Sequence, residues 1–202
     1  MESEARSGIQ IHWSTAYDVL FGAVIRRTDR PMLDLAEIAE GDRVLDVATG
    51  PGYLALAAAS RAGLSGESVG VDLSPQMVSR ATYRASRTGS SARFVEAPAQ
   101  QLPFPDGSFD VVVSRLAIHH MPGDVKDLAV AEMHRVLALG GRVVIADLAS
   151  HGANVFHHIL GRLLGTPRQE DTDLRDLMVR GGFSDPETGS LGVLEYVKVR
   201  KR

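Results

Sequence analysis

The sequence predicts an α/β fold in which helices cover both faces of a seven-stranded, mostly parallel sheet that ends in a C-terminal antiparallel hairpin. Five short apolar runs alternate with helix-patterned segments, as expected for parallel strands joined by crossover helices. One run, Asp-Val-Val-Val-Ser at 110–114, has the near-continuous apolar character of a strand buried on both faces. Near the C-terminus, the strand-like runs 183–187 and 191–200 are separated only by 188–190, and so short a connection forces an antiparallel pair.

The individual elements are predicted from their apolar periodicity and from their start and stop signals. Ser74 caps a helix that has Pro75 at its first position, and Gly140-Gly141 is expected to end the helix before the fifth strand. Pro31 is expected to restart a helix carrying Met32, Leu35 and Ile38. The other predicted strands are 43–48, 68–73, 92–96 and 142–148, and the other predicted helices are 52–62 and 171–180.

Length and composition fit one domain of this kind with a full core. The chain has 202 residues, of which 44% are hydrophobic. Residues 41–202 are expected to form the α/β domain, and the helical pattern of 1–40 predicts a helical lid preceding it. The apolar stripe between 155 and 164 is expected to pack in the core, to cover a substrate or to form a homodimer contact.

Composition also excludes several classes of function. The chain has no cysteine, so disulfides, thiolate catalysis and cysteine-bound zinc are ruled out. A net charge of -3 gives no basic footprint for nucleic acid. The first residues are polar and acidic rather than a signal peptide, and no apolar run is long enough to span a bilayer. We therefore expect a soluble, cytoplasmic protein.

The stretch 44–55 carries the strongest chemical signal. An apolar strand is followed by Gly50 and Gly52 and then by a helix-forming segment, which predicts a strand, a tight turn and a helix. Glycine lets the backbone approach a ligand closely, and amides at a helix start favour negative charge. With Ala55, and with Asp72 at the end of the next strand, the pattern also satisfies the Rossmann dinucleotide fingerprint G-x-G-x-x-A.

Asp46 favours a different ligand, because an ordinary dinucleotide site has an apolar residue or glycine at that place. Its surroundings resemble motif I of the class I S-adenosylmethionine (SAM) dependent methyltransferases, acidic-x-Gly-x-Gly-x-Gly, with Ala48 in place of the first glycine. The resemblance implies a Rossmann-like domain over residues 41–202 that binds SAM and releases S-adenosylhomocysteine. Ala48 narrows the space beside the methionine portion. The residues expected to hold the cofactor at this turn are Asp46, Ala48, Thr49, Gly50 and Gly52.

The tip of the second strand is expected to hold the nucleoside end of the same cofactor. Asp72 can accept both ribose hydroxyls, Leu73 can cover one face of the adenine, and Met77 follows in the next helix. Asp46 and Asp72 are therefore expected to contact opposite ends of one sulfonium nucleoside.

Two further segments narrow the resemblance to one family. Ala-Pro-Ala-Gln-Gln-Leu-Pro-Phe at 97–104 resembles Gly-Asp-Ala-Glu-x-Leu-Pro-Phe of the small-molecule methyltransferases related to the ubiquinone and menaquinone biosynthesis enzymes (UbiE-like, methyltransferase type 11). Arg-Val-Leu at 135–137 with the following glycine pair resembles another signature of that family. Pro98 replaces the aspartate that binds the adenine amino group. The Ala99 amide and the Gln100 side chain are the expected substitutes, with weaker cofactor binding.

The loop after the fourth strand is expected to lie beside the transferable methyl group, as the resemblance implies. It contains His119 and His120, either of which is suited to accept a proton near neutral pH, and Ser114 precedes it as a cofactor contact. Adjacent histidines diverge and no carboxylate cluster is local, so no metal is expected. Arg115 and, in the leading helix, Tyr17 are expected to assist.

The resemblance implies transfer of a methyl group from SAM to oxygen or carbon of a small, partly apolar phenol, quinol or enol. Three alternatives stay open at this point. The protein could use SAM for a cyclisation or decarboxylation, or bind SAM as a non-catalytic partner of another enzyme. It could also be an NAD-dependent oxidoreductase, although no Tyr-x-x-x-Lys pair supports that reading.

Overall fold

Seven strands form one sheet at the centre of the computed structural model, which describes residues 26–148, 172–192 and 194–202. In chain order they are β1 (Arg43–Val47), β2 (Glu67–Asp72), β3 (Arg93–Glu96), β4 (Phe109–Arg115), β5 (Leu137–Leu148), β6 (Glu187–Leu191) and β7 (Leu194–Arg200). Their order across the sheet is β3-β2-β1-β4-β5-β7-β6. Strands β1 to β5 pair in parallel, whereas β7 is antiparallel to both β5 and β6. The predicted fold class is confirmed.

Five α-helices accompany the sheet in the described residues: α1 (Asp29–Leu35), α2 (Tyr53–Ala62), α3 (Pro75–Thr88), α4 (Gly123–Val136) and α5 (Leu174–Arg180). Short 3-10 helices lie at Arg26–Thr28 and Ile118–His120. Ser74 caps α3 as predicted, because its hydroxyl accepts from the Met77 amide at 3.4 Å and Pro75 follows at the first helical position. No described helix combines the length and apolarity that crossing a bilayer requires.

The core has two parts, one on each face of the sheet. In β4, Val111 and Val113 lie with α1 and α2, whereas Val112 lies with α4 and α5, as the alternation of side chains along a strand requires. Fully burying one such valine stabilises the fold by about 1.5–3 kcal/mol. Helices therefore cover both faces of the sheet. The strand ends, rather than the faces, are where polar groups can meet a ligand.

The N-terminal segment is only partly described. Residues 1–25, including Tyr17, lie outside the described residues, so the predicted lid remains a prediction. Met32, Leu33, Ala36 and Ile38 are buried against β1, β4 and β5. The helix predicted around Pro31 exists, but α1 ends at Leu35, so Ile38 joins the core from the following turn.

The junction between α4 and β5 differs from the prediction. The helix ends at Val136 rather than at the glycine pair, because Leu137 turns into extended backbone and pairs with Phe109 of β4. Gly140 and Gly141 lie inside β5 and exchange backbone hydrogen bonds with Lys201 at 2.8 and 2.9 Å. The glycines therefore shape the strand rather than terminate the helix.

The C-terminal hairpin exists, but its turn was predicted too early. Residues 188–190 (Thr-Gly-Ser) belong to β6, and the chain reverses after Leu191, where Gly192 has a φ of +66°. Gly189 is paired with Tyr196, and a β-carbon on it would lie 2.5 Å from the tyrosine hydroxyl oxygen. This glycine makes room for a cross-strand ring, so it does not mark a turn. The last helix also begins later than predicted, at Leu174.

The two family-like segments at 97–104 and 132–142 contact each other through Arg135. Its guanidinium donates to the carbonyl oxygens of Leu102 (3.0 Å) and Phe104 (2.8 Å) and to the Glu132 carboxylate. Glu132 in turn accepts from the Leu102 amide at 2.8 Å. This network, the Arg135 clamp, holds the loop between β3 and β4 against α4.

Candidate active site

The carboxyl ends of β1, β2, β4 and β5 lie side by side, and polar groups follow each of them. Asp46, Asp72, Arg115 and Asp147 are the charged residues at these four strand ends. Chain crossovers leave β1 toward β2 on one side and return to β4 on the other, so the ends of β1 and β4 form a topological switch point, where a crevice is expected. Ligands of open α/β sheets bind at such a switch point.

The two glycines of the turn after β1 have different surroundings. Gly50 and Gly52 have φ values of +54° and +82°, in the left-handed region that glycine adopts most readily. A β-carbon on Gly50 would have no described atom within 4 Å, so the turn leaves room for a ligand at that point. A β-carbon on Gly52 would lie 2.7 Å from that of Ala81 and 2.8 Å from the Phe94 ring. Gly52 is therefore a packing position.

Asp46 lies inside the sheet rather than facing the solvent. It is 2% exposed, and its Oδ2 accepts from the Thr49 hydroxyl at 2.5 Å. Burial raises its pKa to about 7, although the Thr49 hydrogen bond and the charge of Arg115 oppose that change. Gly70, its neighbour on β2, has no side chain in the space occupied by the Thr49 hydroxyl and the Phe94 ring.

Ala48, the residue that replaces the first motif glycine, also adopts left-handed backbone, with a φ of +56°. An L-residue with a β-carbon is strained there. Ala48 therefore has a backbone conformation that glycine would adopt without this strain.

Asp72 organises the neighbouring strand end. Its Oδ2 accepts from the Gly50 amide at 2.7 Å, and its Oδ1 accepts from the Ser74 amide at 2.9 Å. Burial raises its pKa, and these two amide hydrogen bonds oppose the rise. Each carboxylate oxygen retains a second acceptor site for a ribose hydroxyl. Leu73 beside it is 51% exposed, as an adenine contact requires.

The predicted adenine segment lies next to Asp72. The Ala97 amide donates to the Asp72 carbonyl oxygen at 3.1 Å, and the Gln101 amide donates to Pro98 at 3.1 Å, which closes a tight turn. Ala99 and Gln100 within that turn are half-buried, as is Met77 on α3. Their contacts with a cofactor remain predictions.

Ser114 does not present its hydroxyl to the crevice in this structure. The residue is fully buried, and its hydroxyl donates to the carbonyl oxygen of Val47 at 2.9 Å, across the β1–β4 pair. Its side chain joins two strands, so the predicted cofactor contact is left to its backbone.

His119 forms the most specific polar contact at this edge. Its Nδ1 lies 2.5 Å from Oδ1 of Asp147, and its backbone amide donates to Oδ2 of the same carboxylate at 3.0 Å. Asp147 is 3% exposed, and its Oδ1 also accepts from the Leu148 amide at 2.7 Å. The His119 side chain remains 21% exposed. A partly accessible imidazole is thus bonded to a buried carboxylate at the end of the adjacent strand.

Burial by itself raises the pKa of Asp147. The hydrogen bond and charge of His119, together with the backbone amides of His119 and Leu148, outweigh burial and lower the pKa below its usual value. The carboxylate is therefore ionised at neutral pH and can only accept hydrogen bonds. The sequence contained a signal for it, since Asp147 ends a parallel strand as Asp72 does, but its pairing with His119 depends on the tertiary structure.

The remaining predicted catalytic residues differ in their surroundings. His120 is exposed, and its ring centroid lies 3.8 Å from that of His119. Arg115 is 7% exposed, forms an ion pair with Asp29 and donates to the Thr28 hydroxyl at 2.9 Å, so it anchors the start of α1. Tyr17 lies outside the described residues. In those that are described, no three His, Asp or Glu side chains are placed to hold a metal ion.

Sequence reasoning also missed Arg84, which supports the glycine turn from α3. Its guanidinium donates to the Pro51 carbonyl oxygen and, at 3.0 Å, to the Tyr53 hydroxyl. The guanidinium carbon lies 4.0 Å from the centre of the Tyr53 ring, in a cation–π arrangement. An arginine in the middle of an amphipathic helix carries no sequence signal for this contact.

Comparison with known proteins agrees with the geometry. Residues 44–141 match the family described as a methyltransferase domain. PH0226 of Pyrococcus horikoshii has the same fold: its structure has a TM-score of 0.73, is 17% identical, and the match covers 94% of this chain and 100% of that one. Residues 44–141 are therefore similar to a methyltransferase domain, and the described fold is that of PH0226.

Two curated relatives are similar to this chain over part of their length. The chain is 42% identical to demethylmenaquinone methyltransferase of Thermus thermophilus over 136 residues, 65% of this chain and 60% of that one. It is 40% identical to ubiquinone/menaquinone biosynthesis C-methyltransferase UbiE of a Geobacter species (strain M21) over 116 residues, 56% of this chain and 48% of that one. The resemblance drawn from the motifs is confirmed, and the cofactor it implies is SAM. The matches span between 48% and 60% of these relatives' length.

Proposed function

We propose that this protein transfers the methyl group of SAM to oxygen or carbon of a small, partly apolar phenol, quinol or enol. The observation that carries the proposal is the placement of His119, bonded to buried Asp147, at the same sheet edge as the glycine turn and Asp72. A cofactor cradle and a proton acceptor are the two parts that such a reaction needs.

The residues around the glycine turn fit the implied cofactor, SAM. Gly50 leaves space where a β-carbon would project, and the neighbouring Asp72 carboxylate offers acceptor sites for ribose hydroxyls. Bound SAM supplies an activated methyl group on a sulfonium centre. The protein then has to hold the acceptor in line and remove a proton, and alignment alone contributes several kcal/mol to lowering the barrier.

The histidine loop is suited to the proton step. His119 or His120 is in the loop after β4, and an imidazole accepts protons efficiently near neutral pH. The curated relatives named for demethylmenaquinone and ubiquinone/menaquinone biosynthesis support a quinol-like acceptor. Arg115 and Tyr17 remain proposed helpers, and a homodimer remains a proposed assembly.

The test is a product assay with SAM and a panel of phenols, quinols and enols, read by mass spectrometry. The expected product is heavier by one methylene unit and appears together with S-adenosylhomocysteine. A product without added methyl would replace this proposal with a cyclase or decarboxylase. Binding of SAM without turnover of any acceptor would favour a non-catalytic partner protein.

A further inference from the structure

We infer that Asp147 is a positioning residue that makes Nε2 of His119 the proton acceptor, and that the acceptor substrate carries a hydroxyl that is un-ionised at neutral pH. This inference rests on the proposed function and adds to it the identity of the base and the chemical state of the substrate.

The first step concerns the tautomer of His119. An ionised carboxylate has no hydrogen to donate, so the nitrogen that lies 2.5 Å from Asp147 must carry one. The proton is therefore on Nδ1, and in the neutral imidazole the lone pair is on Nε2. Downward displacement of the Asp147 pKa supports the ionised state.

The second step concerns orientation. Asp147 accepts from both the ring and the backbone amide of His119, so the carboxylate fixes the ring and the loop that carries it. The Leu148 amide occupies a further acceptor site on the Asp147 carboxylate, and the Leu116 amide bonds Ala146 at 2.9 Å, which ties the same loop to β5. The imidazole is thus held before any ligand arrives.

The third step distinguishes the two histidines. Among the residues that the structure describes, Asp147 accepts from His119 and Leu148, whereas the ring of His120 lies against the ring of His119 on the exposed side. A buried anion stabilises the imidazolium that forms when its partner takes a proton. His119 receives that stabilisation directly.

The fourth step concerns the substrate. A nucleophile that is already an anion needs no base, so His119 contributes as a proton acceptor only when the acceptor group of the substrate is protonated. In the reaction, the hydroxyl proton passes to Nε2 of His119, and the electron pair of the broken O–H bond moves into the acceptor. For a phenol that pair forms the new oxygen–carbon bond, and the pair of the broken methyl–sulfur bond stays on sulfur. The proton on His119 is then released to water.

The first experiment reads the tautomer without cofactor or acceptor. Imidazole ¹⁵N correlation spectra of the wild-type protein are expected to show His119 protonated at Nδ1, and Asp147→Asn is expected to remove that preference. A wild-type His119 protonated at Nε2 would overturn the inference. This result does not depend on whether the protein transfers methyl groups.

The second experiment compares two acceptors of different acidity, phenol and 4-nitrophenol, at a pH where only the nitrophenol is largely ionised. Asp147→Asn and His119→Ala are each expected to lower kcat with phenol by about 10²–10⁴-fold, the usual contribution of a general base. With ionised 4-nitrophenol, the loss is expected to stay within about threefold, since that acceptor needs no base. Asp127→Asn, an exposed carboxylate paired with Arg180, is the control expected to behave as wild type.

Equal losses with both acceptors would overturn the inference, because a structural defect does not depend on the acidity of the acceptor. Binding of S-adenosylhomocysteine, measured by calorimetry on each variant, checks that the fold and the cofactor site survive. If wild-type protein methylates neither phenol, the proposed function fails for that acceptor class, and the tautomer measurement alone decides the role of Asp147.

Discussion

Ala48 and Leu116 have left-handed backbone at the ends of the paired strands β1 and β4, with φ values of +56° and +54°. Such conformations cost of order 1 kcal/mol or more in residues other than glycine and persist only where the surrounding structure enforces them. Both residues border the crevice proposed for the cofactor. Strain at these two positions therefore borders the proposed cofactor crevice, while Glu37 and Asp185 have similar positive φ values elsewhere in the chain.

Replacing Ala48 with glycine tests this strain. Ala48→Gly is expected to raise the free energy of unfolding by about 1 kcal/mol, because glycine adopts the left-handed region without a β-carbon clash. The matched control is Ala57→Gly in the middle of α2. This substitution is expected to lower the free energy of unfolding by about 1 kcal/mol. Urea denaturation measures both changes, and destabilisation by Ala48→Gly would refute the strain argument.

Asp46 makes the free energy of unfolding depend on pH, and the direction of that dependence follows from the burial of its carboxyl group. Its pKa is raised from 3.8 to about 7, so the folded state favours the neutral acid. The resulting stability is fully present below pH 3.8 and is lost as the pH rises to about 7. Asparagine keeps an oxygen for the Thr49 hydroxyl and cannot ionise.

The unfolding free energy of wild type, relative to Asp46→Asn, is therefore expected to fall between about pH 4 and pH 7 and then to level off. The change is on the order of 4 kcal/mol, since the pKa rises by about three and a pKa difference of one corresponds to about 1.4 kcal/mol. Urea denaturation at a series of pH values measures it. Parallel pH profiles for the two proteins would show that Asp46 ionises normally.

At the residue scale, the sequence was most informative where a residue type has one common use. Asp72 was predicted from its place at a strand end, and it does bond the glycine turn. Asp147 has the same place in β5, yet nothing in the sequence links it to His119, because the pair forms only through the register of β4 beside β5. Ser114 was predicted from its position alone, and its hydroxyl bonds another strand.

At the scale of elements, the turn between β1 and α2 separates ligand contact from packing. Gly52→Ala is expected to lower the unfolding free energy by about 3 kcal/mol, because its β-carbon would overlap Ala81 and Phe94 and its φ is +82°. Gly50→Ala is expected to cost only about 1 kcal/mol, since open space surrounds it. The same variant is expected to bind S-adenosylhomocysteine at least about tenfold more weakly, or about 1.4 kcal/mol.

Urea denaturation and calorimetry distinguish the two glycines. If both substitutions destabilised the fold equally and left cofactor affinity unchanged, the assignment of Gly50 to ligand contact and of Gly52 to packing would be wrong.

The Arg135 clamp is the element-scale contact between the two segments that resemble the family. Arg135→Ala is expected to lower the unfolding free energy by about 2 kcal/mol, because it leaves the Leu102 and Phe104 carbonyl oxygens and the Glu132 carboxylate without this donor. Arg180→Ala, which removes an exposed pair with Asp127, is the control and is expected to cost under about 1 kcal/mol. If urea denaturation showed that both variants lose the same unfolding free energy, the Arg135 clamp would contribute no more to stability than a surface ion pair.

Element boundaries were predictable where local chemistry and tertiary pairing agree. The bounds of β1 and α2 fall within one residue of the prediction, since an apolar run, a glycine turn and a helix-forming run follow one another. The α4–β5 junction and the hairpin turn were misplaced, because Gly141 and Gly189 serve close packing inside strands. Composition alone does not separate such a glycine from one in a turn.

At the scale of the whole molecule, the sheet brings together groups that are far apart in sequence. Strand order places the ends of β2, β1, β4 and β5 in a row, so Asp72, the glycine turn and the His119–Asp147 pair share one edge. The fold class was predictable because the central strands β1, β2, β4 and β5 contain distinct apolar runs that alternate with helix-patterned segments. The neighbours across the crevice were not, since they follow from strand order and register.

The most direct test of this account is titration of the wild-type protein with S-adenosylhomocysteine by calorimetry, with Asp72→Ala as the comparison. One molecule is expected to bind per chain, and the variant is expected to bind at least about tenfold more weakly because the ribose loses its acceptor. Absence of binding heat in the wild type, or equal affinity in the variant, would contradict the assignment of this sheet edge to the cofactor.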